Sequence, residues 1–128
     1  MRKLFVISFF IFAIDRILKI YFQGNEFFIF KYSLNPGAAF GLLRGWNNFL
    51  ILFSIAVILF ILYYRNNKKL ETGMAFLLGG TLSNLIDRIF FQGVIDYIHL
   101  DFLNNVFNIA DVANIIGAGI LIYHFWKE

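Results

Sequence analysis

The chain has 128 residues, 60% of them hydrophobic, 20% aromatic and only 15% charged, with a net charge of +3. Soluble domains run at about 45–50% apolar and about 25% charged, so this composition excludes an ordinary water-soluble domain and belongs to the membrane class. The chain has no cysteine, which excludes disulfides, thiolate metal sites and a cysteine nucleophile. Its lysines and arginines fall at helix ends rather than in one patch, so the basic balance points to membrane orientation and not to nucleic acid.

Met1-Arg2-Lys3 precedes an apolar run that begins at Leu4 and continues through Asp15 to Phe22 without a small-x-small cleavage site. It therefore reads as a retained helix rather than a removed signal peptide. Four spans are predicted, at about residues 4–22, 47–64, 73–91 and 109–126, each near the ~20 residues that a bilayer core requires. Between the first two, Phe27–Leu34 is an aromatic and β-branched run of strand type, and Asn35-Pro36-Gly37 breaks it with turn chemistry. Ala38–Trp46 reads as a segment lying along the interface, with Trp46 at headgroup level. If four helices zigzag, Arg2-Lys3, the Arg65–Lys69 loop and Lys127 share one side, which the positive-inside rule makes cytoplasmic. Both termini are then inside, and segments 23–46 and 92–108 face outward. The expected fold is an all-α membrane protein. It is one domain over residues 1–128, with four transmembrane helices and a small extracytoplasmic β-sheet on the outer membrane surface.

Polar groups interrupt this hydrocarbon at Asp15-Lys19, Asn35, Asn84-Asp87-Arg88, Asp96 and Asn108-Asp111. A charge in lipid is costly, so an intramembrane carboxylate is a functional hypothesis by default. From the helical rise, Asp15 lies roughly 17 Å and Lys19 about 23 Å along the first span, while Asn84 lies roughly 17 Å and Asp87 about 21 Å along the third. Asp96 falls just beyond the third span and Asp111 in the first turn of the fourth, so all of them share the outer half.

Each cluster also has a plainer reading. Asp15 and Lys19 stand at i,i+4 and suit an intrahelical ion pair. Asn84, Asp87 and Arg88 share one helix stripe, as an interhelical packing network does, and Gly79-Gly80 with Ser83 suits close helix contact. Asn108 and Asp111 suit an N-cap with an acid at N3, and Asp96 suits an interfacial loop. His99 and His124 lack a partner spacing for a metal, and no HExxH, GxSxG or phosphate-binding glycine loop is present. Acids without a metal pattern suit acid–base hydrolysis: two close carboxylates share a proton, one acting on water and the other on a carbonyl. The same acids also suit a proton or ion pathway, or a purely structural packing subunit.

Five ordered motifs then carry a resemblance across the whole chain. They are Asp15-Arg16-Ile17-Leu18-Lys19, Asn35 through Gly41, Gly79 through Arg88, Val94-Ile95-Asp96-Tyr97-Ile98 and Phe107-Asn108-Ile109-Ala110-Asp111. Together they resemble the lipoprotein signal peptidase (signal peptidase II) family of bacteria. The resemblance implies an aspartic endopeptidase of the bacterial cytoplasmic (inner) membrane, with its active site toward the extracytoplasmic face. Such an enzyme removes signal peptides from prolipoproteins, cutting before a diacylglyceryl-modified cysteine. By their motifs, Asp96 and Asp111 match the catalytic pair, and Asn35, Gly37, Asn84, Arg88 and Asn108 match substrate-binding or positioning residues. Asp15, Lys19 and Asp87 match residues that support the fold around them. The resemblance further implies no cofactor or metal, prolipoprotein substrates and membrane lipids as partners, no nucleic acid, a monomer, and inhibition by globomycin-type cyclic peptides. Ser83 departs from the family's glycine, a small-for-small change expected to cost little.

Overall fold

The computed structural model describes residues 1–38 and 42–128. In chain order it contains α1 (Arg2–Tyr21), β1 (Phe30–Asn35), α2 (Asn47–Tyr64), α3 (Glu71–Phe91), β2 (Val94–Leu100), a 3-10 turn at Asp101–Leu103, β3 (Asn105–Phe107) and α4 (Ile109–Lys127). Among the described residues, α2, α3 and α4 are long and apolar enough to cross a membrane. α1 is equally long, but Asp15, Arg16 and Lys19 fall in every 18-residue stretch of it.

α3 packs against each of the other three helices. Its glycines make this possible. A Cβ on Gly79 would come within 2.7 Å of the Ser8 carbonyl of α1, and one on Gly80 would meet the Ala110 carbonyl of α4. The close helix contact expected from Gly79-Gly80 is therefore present, on two faces of α3. At one end of the bundle Leu4, Ile61, Leu70, Met74, Ala75, Leu78 and Leu121 form an apolar core. Large apolar side chains such as Phe9, Phe10, Leu52, Phe53, Ile115 and Ile122 face outward instead, as they do on a surface solvated by hydrocarbon. The opposite end of the bundle is polar.

A three-stranded antiparallel sheet in the order β1-β2-β3 closes that polar end. Its first strand is shorter than the Phe27–Leu34 run predicts. Phe27 and Phe30 pair across a tight turn in which Phe28 takes a left-handed φ of 55°, so the strand proper starts at Phe30. The central strand, β2, has no counterpart among the predicted elements: Val94–Leu100 is buried from Val94 to Tyr97 and pairs on both sides. Asp96 is accordingly no interfacial-loop carboxylate but a fully buried residue of the sheet's middle strand. Of the expected interfacial segment Ala38–Trp46, residues 39–41 lie outside the described residues. Residues 42–45 form turns, and Trp46 caps α2 with its indole exposed.

Candidate active site

Beneath the sheet, α1 and α3 bring together a four-member ion network. Lys19 Nζ lies 2.8 Å from Asp15 Oδ2 and 2.8 Å from Asp87 Oδ2, and Arg16 pairs with Asp87 Oδ1. The i,i+4 pair of the sequence is thus present, but it is one edge of a larger, charge-balanced cluster. Burying ions is unfavourable unless their remaining hydrogen-bonding capacity is met, and here it is. Asp15 accepts from Ser83 Oγ (2.6 Å), Tyr97 Oη (2.7 Å) and the Ala110 amide (3.2 Å), while Asp87 accepts from the Ile95 amide (3.0 Å). Burial and the Asp15 charge push the Tyr97 phenol upward, so it remains an O–H donor. Arg16 and Tyr97 are members that the sequence motifs do not single out, and Ser83 figures there only as a small packing residue and a replacement for glycine. Arg16 had one available signal, its place beside Asp15 in the polar break of the first span. The partners of Ser83 and Tyr97 are distant in sequence and left none.

The same network holds the start of α4. Asn108 caps the helix in a reciprocal box with Asp111: its Oδ1 accepts from the Asp111 amide at 2.8 Å, and Asp111 Oδ2 accepts from the Asn108 amide at 3.0 Å. The Ile109 amide donates to Tyr97 Oη at 3.0 Å and the Ala110 amide to Asp15. The amide donors that open a helix normally lack partners; here they are supplied by residues of α1 and β2. Asp111 is thereby fixed in the first turn, where the helix dipole favours a negative charge.

Three asparagine side chains then hold Asp96 and Asp111, and two of them, Asn84 and Asn108, connect the acids. Asp96 accepts from Asn108 Nδ2 on Oδ1 and from Asn35 Nδ2 on Oδ2, both at 3.0 Å. Asp111 Oδ1 accepts from Asn84 Nδ2 at 2.9 Å. The direction of each amide is set by a group on its oxygen side. Asn84 Oδ1 faces the Lys19 ammonium at 2.9 Å, Asn108 Oδ1 faces the Asp111 amide, and Asn35 Oδ1 faces the Gly37 amide at 2.9 Å. A donor on the oxygen leaves only the NH2 end for the carboxylate. Asn108 Nδ2 also reaches Asn84 Oδ1 at 3.1 Å, so one residue touches both acids and the amide between them. Burial, reinforced by the charge of Asp111, pushes the Asp96 carboxyl up to about 8.

Asp96 is fully enclosed, whereas Asp111 is partly exposed. Asp111 stands at the head of a groove of about 460 Å³ between α2, α3 and α4. Leu50, Phe53, Val57, Leu77 and Ile115 make its walls apolar, and Thr81, Asn84, Arg88 and Asn114 join Asp111 as its polar lining. Arg88 Nη2 donates to the Gly37 carbonyl at 3.0 Å, and Asn47 Nδ2 donates to the Arg88 carbonyl at 3.1 Å. Of the residues singled out in the sequence, Asn35, Asn84, Asp96, Asn108 and Asp111 converge. Gly37 and Arg88 meet beside them, and Asp15, Lys19 and Asp87 lie underneath. Among the described residues no group of three or more His, Cys, Asp or Glu side chains could hold a metal ion.

Helices around a central α3, capped by a small sheet and enclosing two amide-held acids, define a class before they define a family. Two solved bacterial membrane enzymes share the fold. One has a TM-score of 0.85 at 24% identity, covering 99% of this chain and 89% of its own; the other has 0.81 at 23% identity, covering 100% and 95%. The model of the signal peptidase (SPase) II family matches residues 7–127. The lipoprotein signal peptidase of Desulfitobacterium hafniense is 39% identical over 127 residues, covering 87% of this chain and 84% of that protein. That of Halothermothrix orenii is 40% identical over 109 residues, covering 81% and 74%. The chain belongs to the signal peptidase II family.

Proposed function

We propose that the chain is an intramembrane aspartic endopeptidase of the bacterial cytoplasmic membrane that removes signal peptides from prolipoproteins, cutting before the diacylglyceryl-modified cysteine. The observation that carries the reading is the Asn108 bridge. One amide touches Asp96 and Asn84 while its own backbone and oxygen clamp Asp111, all at the head of an apolar groove. The groove suits a hydrophobic segment or acyl chains, and the acids stand where that segment would end.

In this mechanism the pair holds one proton and titrates as a unit. Asp96, the more enclosed and held up to about 8, keeps it near neutral pH. Ionised Asp111, open to the groove, takes a proton from water as the oxygen attacks the scissile carbonyl carbon. Asp96 gives its proton to the carbonyl oxygen, producing a gem-diol. On collapse Asp111 passes its proton to the departing amine nitrogen and Asp96 recovers one from the diol, so the pair returns to its starting state. Water and two carboxylates suffice without a cofactor. Asn35, Asn84 and Asn108 orient the acids, and Gly37 and Arg88 position the substrate chain. Asp15, Lys19 and Asp87 support the frame.

The topology proposed with this function has four spans, both termini in the cytoplasm and the sheet outside, in one domain acting as a monomer. α1 can cross despite its charges because Asp15 and Lys19 are fully buried in the ion network and not presented to lipid. A globomycin-type cyclic peptide would compete for the groove. The test is reconstitution in liposomes with a prolipoprotein, with and without diacylglyceryl modification, read by mass spectrometry. Only the modified form should be cut, on the N-terminal side of its cysteine; cleavage of neither, or at another bond, would overturn the proposal.

A further inference from the structure

Among the described residues, five buried side-chain atoms lack a hydrogen-bond partner: Ser33 Oγ, Asn47 Oδ1, Arg88 Nη1, His99 Nε2 and Asn105 Oδ1. Such atoms are few in native proteins, and each calls for a cause. Arg88 lines the groove already described. Ser33, His99 and Asn105 share a different place. One comes from each strand of the sheet, and all three line a second cavity of about 460 Å³ on which Arg44 and Asp101 also open.

The Asn35–Ala38 turn lies between the two cavities. Asn35 and Pro36 line the outer one and Ala38 lines the groove, while Asn35 itself donates to Asp96 at 3.0 Å. The outer cavity is thus lined by a residue that itself holds Asp96.

We infer that the outer cavity is the subsite for the polypeptide immediately downstream of the scissile bond, held as an extended, polar segment. The inference rests on the peptidase reading. The chemistry favours main chain over a lipid headgroup. Asn105 Oδ1 is an acceptor, and the Ser33 hydroxyl accepts as readily as it donates. Burial, reinforced by Lys31, holds the His99 imidazole below its usual value, so the ring is neutral and its unpartnered Nε2 is open to a hydrogen bond. Acceptors of this kind call for N–H donors, which an extended chain presents at regular intervals. Arg44 and Asp101 balance one another, so the cavity has no net attraction for a phosphate.

The test uses the full chain in liposomes and two diacylglyceryl-modified substrates. One continues for about ten residues beyond the cysteine; the other ends directly after it. The wild type should show a lower KM for the long substrate. His99→Ala, Asn105→Ala and Ser33→Ala should each raise KM for that substrate by about fivefold, the loss of roughly one hydrogen bond, and leave the short substrate unchanged. Ser33→Ala removes a single oxygen and keeps the test valid if a larger change impairs folding. Equal KM values for the two substrates in the wild type would overturn the subsite. So would variants that change both substrates alike, as a headgroup site or a packing role would make them do. Failure to cut either substrate would be distinct, because it would remove the peptidase reading and the subsite with it.

Discussion

Two pairs of acids lie at the same end of this bundle and live in opposite surroundings. Asp15 and Asp87 are each within 2.8 Å of Lys19, and Asp87 also pairs with Arg16. Asp96 and Asp111 form no ion pair among the described residues and are held by asparagine amides and one backbone amide. A carboxylate matched by a cation in a closed site is committed to its ion pair, because removing either partner leaves a buried charge uncompensated. A carboxylate held by neutral dipoles beside another carboxylate is free to share a proton. In the proposed mechanism the first pair builds and the second pair reacts. Lys19 links them: by holding Asn84 Oδ1 it turns that amide's NH2 toward Asp111.

The comparison can be broken at several points. Lys19→Met would leave two buried carboxylates with one cation between them, and should destabilise the protein by about 3–5 kcal/mol. Thermal unfolding in detergent should show a large drop in Tm, with activity lost in proportion to folded protein. Asn108→Ala acts on the other side. It removes the contact common to both acids together with a helix cap, and cleavage should fall by about 100-fold while stability falls by only about 1 kcal/mol. A loss of fold as severe as that of Lys19→Met would erase the distinction between the two pairs.

Smaller changes sharpen it. Ser83→Ala deletes the 2.6 Å hydrogen bond to Asp15 and should cost about 1.5 kcal/mol, with kcat unchanged because the reacting pair is untouched. Asn35→Ala should move a pH profile. Activity requires the proton of the pair, so it should decline as pH rises through about 8, the value at which Asp96 is held. The Asn35 hydrogen bond holds that carboxyl down, so without it the alkaline limb should move to higher pH, by about half a unit for a modest hydrogen bond. A shift to lower pH would contradict the role given to Asn35.

Much of this arrangement was legible in local spacing. The Asp15–Lys19 pair and the Asn108–Asp111 box are separated by four and three residues, and the helix repeat places them together before any tertiary contact forms. The apolar runs gave α2, α3 and α4 nearly to the residue. What stayed hidden depends on distant partners. β2 pairs with a strand some sixty residues earlier, as in Ser33 opposite Asp96, so the segment Val94–Ile98 carried too short a local pattern to declare itself a strand. Ser83 shows the same limit. By size it is a small-for-small replacement for glycine, yet its hydroxyl binds an aspartate on another helix. Tyr97 binds across 82 positions to Asp15, and no periodicity carries that information.

The most direct test is cleavage of a diacylglyceryl-modified prolipoprotein by Asp111→Asn, measured alongside its thermal unfolding. The account predicts that cleavage disappears while Tm stays within a few degrees of wild type, because a reacting carboxylate has been removed and the ion network beneath it has not. Retained cleavage, or a collapse of the fold equal to that of Lys19→Met, would contradict it.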